Sequence, residues 1–145
     1  MGFGERSSNY WLGNDQLSQL TANNRYKLKF DLQSHDTGNW YYAEYSTFIV
    51  LSEADNYLLL VGGFSGNAGF DAFGFEHNGR QFTTFDVDND SWPSGNCAAL
   101  IGGGFWYRSC GACYLNTARS TGLFFWRDLP GGPLLQSSRM WLECK

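Results

Sequence analysis

Between Gly62 and Gly132 the chain runs for about 70 residues with no sustained helix or strand period, a length uncommon in a compact domain unless links pin it or it has a function. Glycine, asparagine, aspartate and short aromatic clusters fill this stretch. Candidate pins lie within or beside it. Asp86, Asp88 and Asp90 occupy alternate positions within five residues, and Cys97, Cys110, Cys113 and Cys144 all fall in the last third of the chain. Any fold must therefore pair an ordinary packed half with a half held by local chemistry.

The packed half is legible from its periods. In "YKLKFDL", Tyr26, Leu28, Phe30 and Leu32 share one face while Lys27, Lys29 and Asp31 share the other, the pattern of a half-buried strand. "YAEYSTFIVL" and "YLLLVGGFSG" read as further strands, rich in aromatic and branched residues and stopped by glycines. "NYWLGNDQLSQLTA", Asn9 to Ala22, is the best helical window: Leu12, Leu17 and Leu20 form its apolar face, with Asn14 or Asp15 available as its cap. The fold class expected is α+β, a mixed, mainly antiparallel sheet with short helices and a large irregular region.

Composition narrows the function. At 145 residues, with 17% charged and 18% aromatic residues, the chain suits one compact domain rather than a disordered segment or coiled coil. A net charge of -4 supplies no cationic surface for phosphate backbones or anionic lipid, so neither nucleic acid nor membrane is an expected partner. No apolar run approaches the length of a membrane span. An even number of cysteines in a small domain fits disulfides and an extracellular location, with three pairings open to four cysteines. Cys110-Gly111-Ala112-Cys113 is also a C-x-x-C, but a four-thiolate zinc site would need Cys97 and Cys144, which lack the second such spacing. His35 and His77 sit in polar surroundings without a nucleophile signature, and read as surface residues. Glu44, Glu53 and Glu76 offer carboxylates for hydrolysis, yet nothing in the sequence makes two converge, so no enzymatic activity is expected.

The aspartates admit two readings. Alternate carboxylates in a turning loop can aim at one point, and hard oxygens of that kind suit calcium. The segment is no EF-hand, because Leu100 or Ile101 stands where the closing glutamate belongs. A solvated Asp/Asn turn is the competing reading.

Several motifs together resemble the fibrinogen-like domain, the C-terminal module of fibrinogen chains, ficolins, tachylectins and tenascins. They are Asp86-Val87-Asp88-Asn89-Asp90, Gly95-Asn96-Cys97, Gly103-Gly104-Phe105-Trp106-Tyr107, Cys110 and Leu115-Asn116. "YWLGND", "AEYSTFIVLSEADNYLLLVGGFSGNAG" and "HNG" extend the resemblance across nearly the whole chain.

The resemblance implies a calcium- and disulfide-braced loop region. Asp88 and Asp90 would supply side-chain oxygens to calcium, Trp92 and Ser94 backbone carbonyls, and Asp86 would be a neighbour. It also implies a Cys97–Cys110 disulfide, a cis peptide between Ser109 and Cys110, and a shallow pocket there. Ile101, Ser109, Cys110, Gly111, Arg119, Ser120 and Thr121 are the candidate ligand-binding residues, with core packing the expected role for most of Phe105, Trp106 and Tyr107. Cys113 and Cys144 could bridge each other or reach another chain. Against the family pattern, Cys97 follows Asp90 by seven residues rather than six, Gly111 replaces a histidine, and Ile101 replaces an aromatic wall.

The function implied is a secreted, calcium-dependent pattern-recognition lectin that binds acetylated or other microbial surface glycans in innate immunity, with a homo-oligomer as the route to multivalency. The alternative is a protein–protein module for peptide ends. The chain reads as one domain, 1–145, without the family's N-terminal subdomain: residues 1–60 and a C-terminal strand form the sheet region, and 61–140 the calcium and pocket region.

Overall fold

The computed structural model describes residues 2–5 and 7–145, the side chain of Arg119 excepted. Two short strands, β1 (Phe3–Gly4) and β2 (Tyr10–Trp11), pair antiparallel ahead of helix α1 (Asn14–Thr21). Then come β3 (Tyr26–Ser34), β4 (Trp40–Val50) and β5 (Leu59–Gly66). Helices α2 (Ala72–His77) and α3 (Cys97–Ile101) and the strands β6 (Cys113–Tyr114) and β7 (Phe125–Trp126) punctuate the irregular half. The last strand, β8 (Leu135–Cys144), returns to the large sheet, whose order is β5-β4-β3-β8. Every pairing among the described strands is antiparallel.

Alternation places the core as expected. Leu28, Phe30 and Leu32 are buried on the inner face of β3, and Ala43 and Tyr45 beside them on β4. Phe30 meets Phe73 of α2 edge-on at 5.0 Å between ring centroids and Trp126 of β7 at 5.5 Å, so the irregular half packs on the sheet through rings. Trp106 and Phe105 continue this cluster, which confirms core packing for them; Tyr107 is buried too.

Helix α1 departs from its expected cap. Gly13 takes the N-cap position at φ 102°, which favours glycine, and no side chain caps the helix. Asp15 instead accepts a hydrogen bond from the Tyr57 hydroxyl. Leu17 is buried whereas Leu20 is 40% exposed, so the apolar face is narrower than the sequence suggests. The helix's far end is tied by Thr21, whose buried hydroxyl donates to the Leu17 carbonyl at 2.7 Å and accepts from the Val50 N–H at 2.9 Å.

His77 corrects another expectation. The polar "HNG" context suggests the surface, but the imidazole is fully buried at the end of α2, stacked on Phe73 and edge-on to Phe105.

Candidate functional site

The aspartate loop is built from short-range hydrogen bonds before any ligand is considered. Its entry is joined to the aromatic segment by a bridge between Thr83 and Phe105, at 2.9 and 3.2 Å. Asn89 is held from both ends: its N–H donates to the Thr83 hydroxyl at 3.0 Å and its side-chain amide to the Phe82 carbonyl at 2.9 Å. Asp88 is exposed and accepts from the Asp90 N–H at 3.2 Å. Asp86, also exposed, accepts from the Thr84 hydroxyl at 2.7 Å.

Asp90 does the most. One of its oxygens accepts from the Trp92 N–H at 2.8 Å, closing an Asx-type turn, and the other accepts from the Cys97 N–H at 2.7 Å. A single carboxylate thus spans the segment and fixes the first cysteine. Asn96 then caps α3, accepting from the Ala99 N–H at 3.0 Å while its amide donates to the Thr84 carbonyl at 3.0 Å. The Trp92 indole lies over Gly95, where a Cβ would come within 2.6 Å of the ring.

Cys97 is bonded to Cys110, with 5.6 Å between their Cα atoms. The Ser109–Cys110 peptide is cis. The loop is anchored again here, the Ser91 N–H donating to the Arg108 carbonyl at 2.8 Å. Behind the second cysteine stands His77. Its Nδ1–H donates to the Trp106 carbonyl at 2.7 Å, and Nε2 accepts from the Ala112 N–H at 3.3 Å. Burial, reinforced by the nearby Arg80 charge, holds its pKa down at about 4, so the neutral ring is the one that bridges the two segments. Gly111 lies against this ring, and a Cβ there would sit 2.1 Å from Cε1.

The expected pocket residues separate in space. Ser109 is exposed and Cys110 and Gly111 half-buried around the cis bond. Ile101 is only 3% exposed and belongs to the core, so the aliphatic wall expected of it is not open; its neighbour Leu100, 61% exposed, faces solvent. The α3 end is stitched to the following loop by Thr117, whose hydroxyl donates to the Ile101 carbonyl at 2.7 Å and lies 3.3 Å from that of Thr121. Ser120 opens instead onto a cavity of about 320 Å³ with His35, Phe124 and Leu134. The side chain of Arg119 lies outside the described residues.

A second cavity, about 400 Å³, was not legible in sequence. Thr84, Phe85 and Asp86 form one side and Ala98, Ala99 and Gly102 to Gly104 the other, directly beside the aspartate loop. Its signal was the run of small residues after Cys97, which leaves space rather than filling it.

Cys113 and Cys144 do not bridge each other. Cys113 is buried in register with Trp126, whose ring meets Phe30, whereas exposed Cys144 lies opposite Tyr26, four residues and ~13 Å back along β3. A disulfide needs Cβ atoms about 4 Å apart. Both thiols are free.

For the metal, the donor chemistry fits. Asp86, Asp88 and Asp90 offer hard carboxylate oxygens, and among the described residues no lysine or arginine lies within ion-pair distance of them. Each Asp90 oxygen that accepts an N–H keeps a second lone pair. Among the described residues no group of three or more His, Cys, Asp or Glu side chains converges, so carbonyl oxygens would have to complete any such site.

The model of the C-terminal globular domain of fibrinogen beta and gamma chains matches residues 1–128. The chain belongs to the fibrinogen C-terminal domain family. This fibrinogen-like domain is 44% identical to human ficolin-3 over 115 residues, 79% of the chain and 38% of ficolin-3. It spans less than half the length of the curated relatives it matches. The fibrinogen-like globe domain of human ANGPTL2 superposes with a TM-score of 0.86 at 35% identity, covering 99% of this chain and 69% of that one. A lamprey fibrin D-dimer, complexed with the peptide ligand Gly-His-Arg-Pro-amide, gives 0.78 at 29% identity, covering 97% of this chain and 53% of that one.

Proposed function

We propose that this fibrinogen-like domain is an extracellular recognition module, a lectin for acetylated or other microbial surface glycans, whose pocket is braced by calcium. One observation carries the reading: the Asp90 carboxylate holds the Cys97 N–H, and Cys97 is bonded to Cys110, so the aspartate loop and the pocket segment form one connected unit. Asp88 and Asp90, with the carbonyls of Trp92 and Ser94, would hold the ion. Bound calcium supplies a hard positive charge that neutralises the carboxylates and orders the oxygens around it. The chain's own residues do the rest. Asp90 positions the first cysteine, His77 spaces the Trp106 and Ala112 segments, and exposed Ser109 presents the ligand face. Binding is reversible and involves no catalysis. A shallow site is weak alone, so several linked copies would supply avidity.

Kinship with ficolin-3 supports the glycan reading. A peptide-end reading is favoured by the lamprey neighbour in its peptide complex. Calorimetric titration of calcium into metal-stripped protein, repeated with Asp88→Ala and Asp90→Ala, tests the brace; heat that both substitutions abolish is expected. Acetylated sugars should then displace the calcium-loaded protein from microbial cells. No calcium binding by the unmutated protein refutes the brace, and insensitivity to sugars combined with binding of Gly-His-Arg-Pro-amide replaces the lectin with a peptide receptor.

A further inference from the structure

The outer face of the large sheet, opposite the aromatic core, carries rings that the pocket does not use. Register fixes their layout. On β4, Trp40 stands opposite Gln33 and Tyr42 opposite Asp31; on β8, Trp141 stands opposite Lys29 and Arg139 opposite Asp31. With ~3.4 Å per residue and ~4.8 Å between strands, Trp40 lies roughly 7 Å from Tyr42, and Tyr42 roughly 12 Å from Trp141 across β3. All three rings are exposed, at 44%, 39% and 47%.

Each ring is held in place without being buried. The Trp141 indole N–H donates to Asp31 at 2.6 Å. The Arg139 guanidinium lies 5.1 Å from the Trp40 ring, and the Lys29 ammonium 5.5 Å from that of Tyr42. Rings fixed before binding lose little freedom when a ligand arrives.

The charges on this face close on one another. Lys27 lies 3.6 Å from Glu44 and 3.1 Å from Glu143, and Lys29 lies 3.4 Å from Asp31. Lys27, Lys29 and Arg139 balance Asp31, Glu44 and Glu143, so the face has no net charge to draw an ionic partner. What it offers is spaced ring area beside paired donors and acceptors. That combination complements an uncharged chain of pyranose rings, each with an apolar C–H face and a rim of hydroxyls.

We infer that the Trp40, Tyr42 and Trp141 face is a binding site for an extended neutral polysaccharide, separate from the aspartate loop and needing no calcium. The site spans three adjacent strands, β4, β3 and β8, so it favours oligomers over single sugars.

The test is titration of chitohexaose and of cellohexaose into the full chain, in chelator and in calcium, followed by nuclear magnetic resonance shifts of the tryptophan indoles. Saturable binding of at least one hexaose is expected in chelator, weakened about tenfold or more in Trp40→Ala/Trp141→Ala. Trp40→Phe/Trp141→Phe keeps rings at both positions and should retain intermediate affinity, which separates loss of the site from loss of the fold. Asp88→Ala, which addresses the calcium brace, should leave hexaose binding unchanged. The inference is overturned if neither hexaose binds, if the alanine pair binds as well as the unmutated chain, or if chelator alone abolishes binding and so places the sugar at the calcium-braced pocket. Sedimentation provides a further check: a dimeric chain that the alanine pair renders monomeric makes this face a contact between copies and refutes the glycan assignment.

Discussion

Acid should destabilise this domain through one buried residue. His77 is buried, and its pKa is held at about 4, against 6.5 for an ordinary histidine. Because the folded value is the lower one, the unfolded chain binds more protons between those limits, so stability falls as pH drops from about 6.5 to about 4 and the His77 contribution levels off below. The two values give a loss of about 2 kcal/mol between pH 7 and pH 4.5, with a steepest slope of about 1 kcal/mol per pH unit. Protonation also removes the lone pair that accepts the Ala112 N–H, so the loss should be felt beside Cys110. The assay is urea unfolding across that range for the unmutated protein and for His77→Gln, with the imidazole titrated directly by nuclear magnetic resonance. The variant should be less stable at pH 7 and flatter below it. Equal slopes in the two proteins, or an imidazole that titrates near 6.5, would refute the reasoning.

Gly111→Ala should destabilise by about 1–3 kcal/mol in thermal melts, because its new methyl meets the immobile His77 ring 2.1 Å away; a neutral result would show that the ring can yield. Asp90→Ala, measured in chelator, should cost about 2–3 kcal/mol by leaving the Trp92 and Cys97 N–H groups without their charged acceptor, whereas exposed Asp88→Ala should cost far less. A thiol reagent should modify Cys144 in the native protein and Cys113 only after unfolding, as read by mass spectrometry. Reducing Cys97–Cys110, which are 13 residues apart, should lower stability by about 3 kcal/mol on the loop-entropy scale.

The sheet could be read from sequence because its signal is local: Leu28, Phe30 and Leu32 alternate with charged residues, and burial follows that alternation. The cysteine bond and the cis peptide were accessible only through the whole set of motifs, since spacing alone left three pairings open. His77 escaped because its burial depends on Phe73, Phe105 and Trp106, partners that no window around "HNG" contains. Ile101 was misplaced for a similar reason: the turn of α3 that aims it inward also turns Leu100 outward, and a five-residue helix leaves too little period to tell them apart. The outer aromatic face was likewise hidden, because Trp40 and Trp141 come together through register across β3.

The hydrogen bond from Cys97 to Asp90 also bears on how such a loop can change length. Seven positions separate the two residues in sequence, yet the carboxylate reaches the cysteine's N–H at 2.7 Å, so the length of chain between them does not set the distance that matters. Slack is taken up beyond the turn, where the Trp92 ring folds over Gly95. The anchor of the disulfide is thereby distinct from the loop's tip, where residues 91 to 95 are held by contacts of their own: Ser91 on the Arg108 carbonyl, and Gly95 under the Trp92 ring.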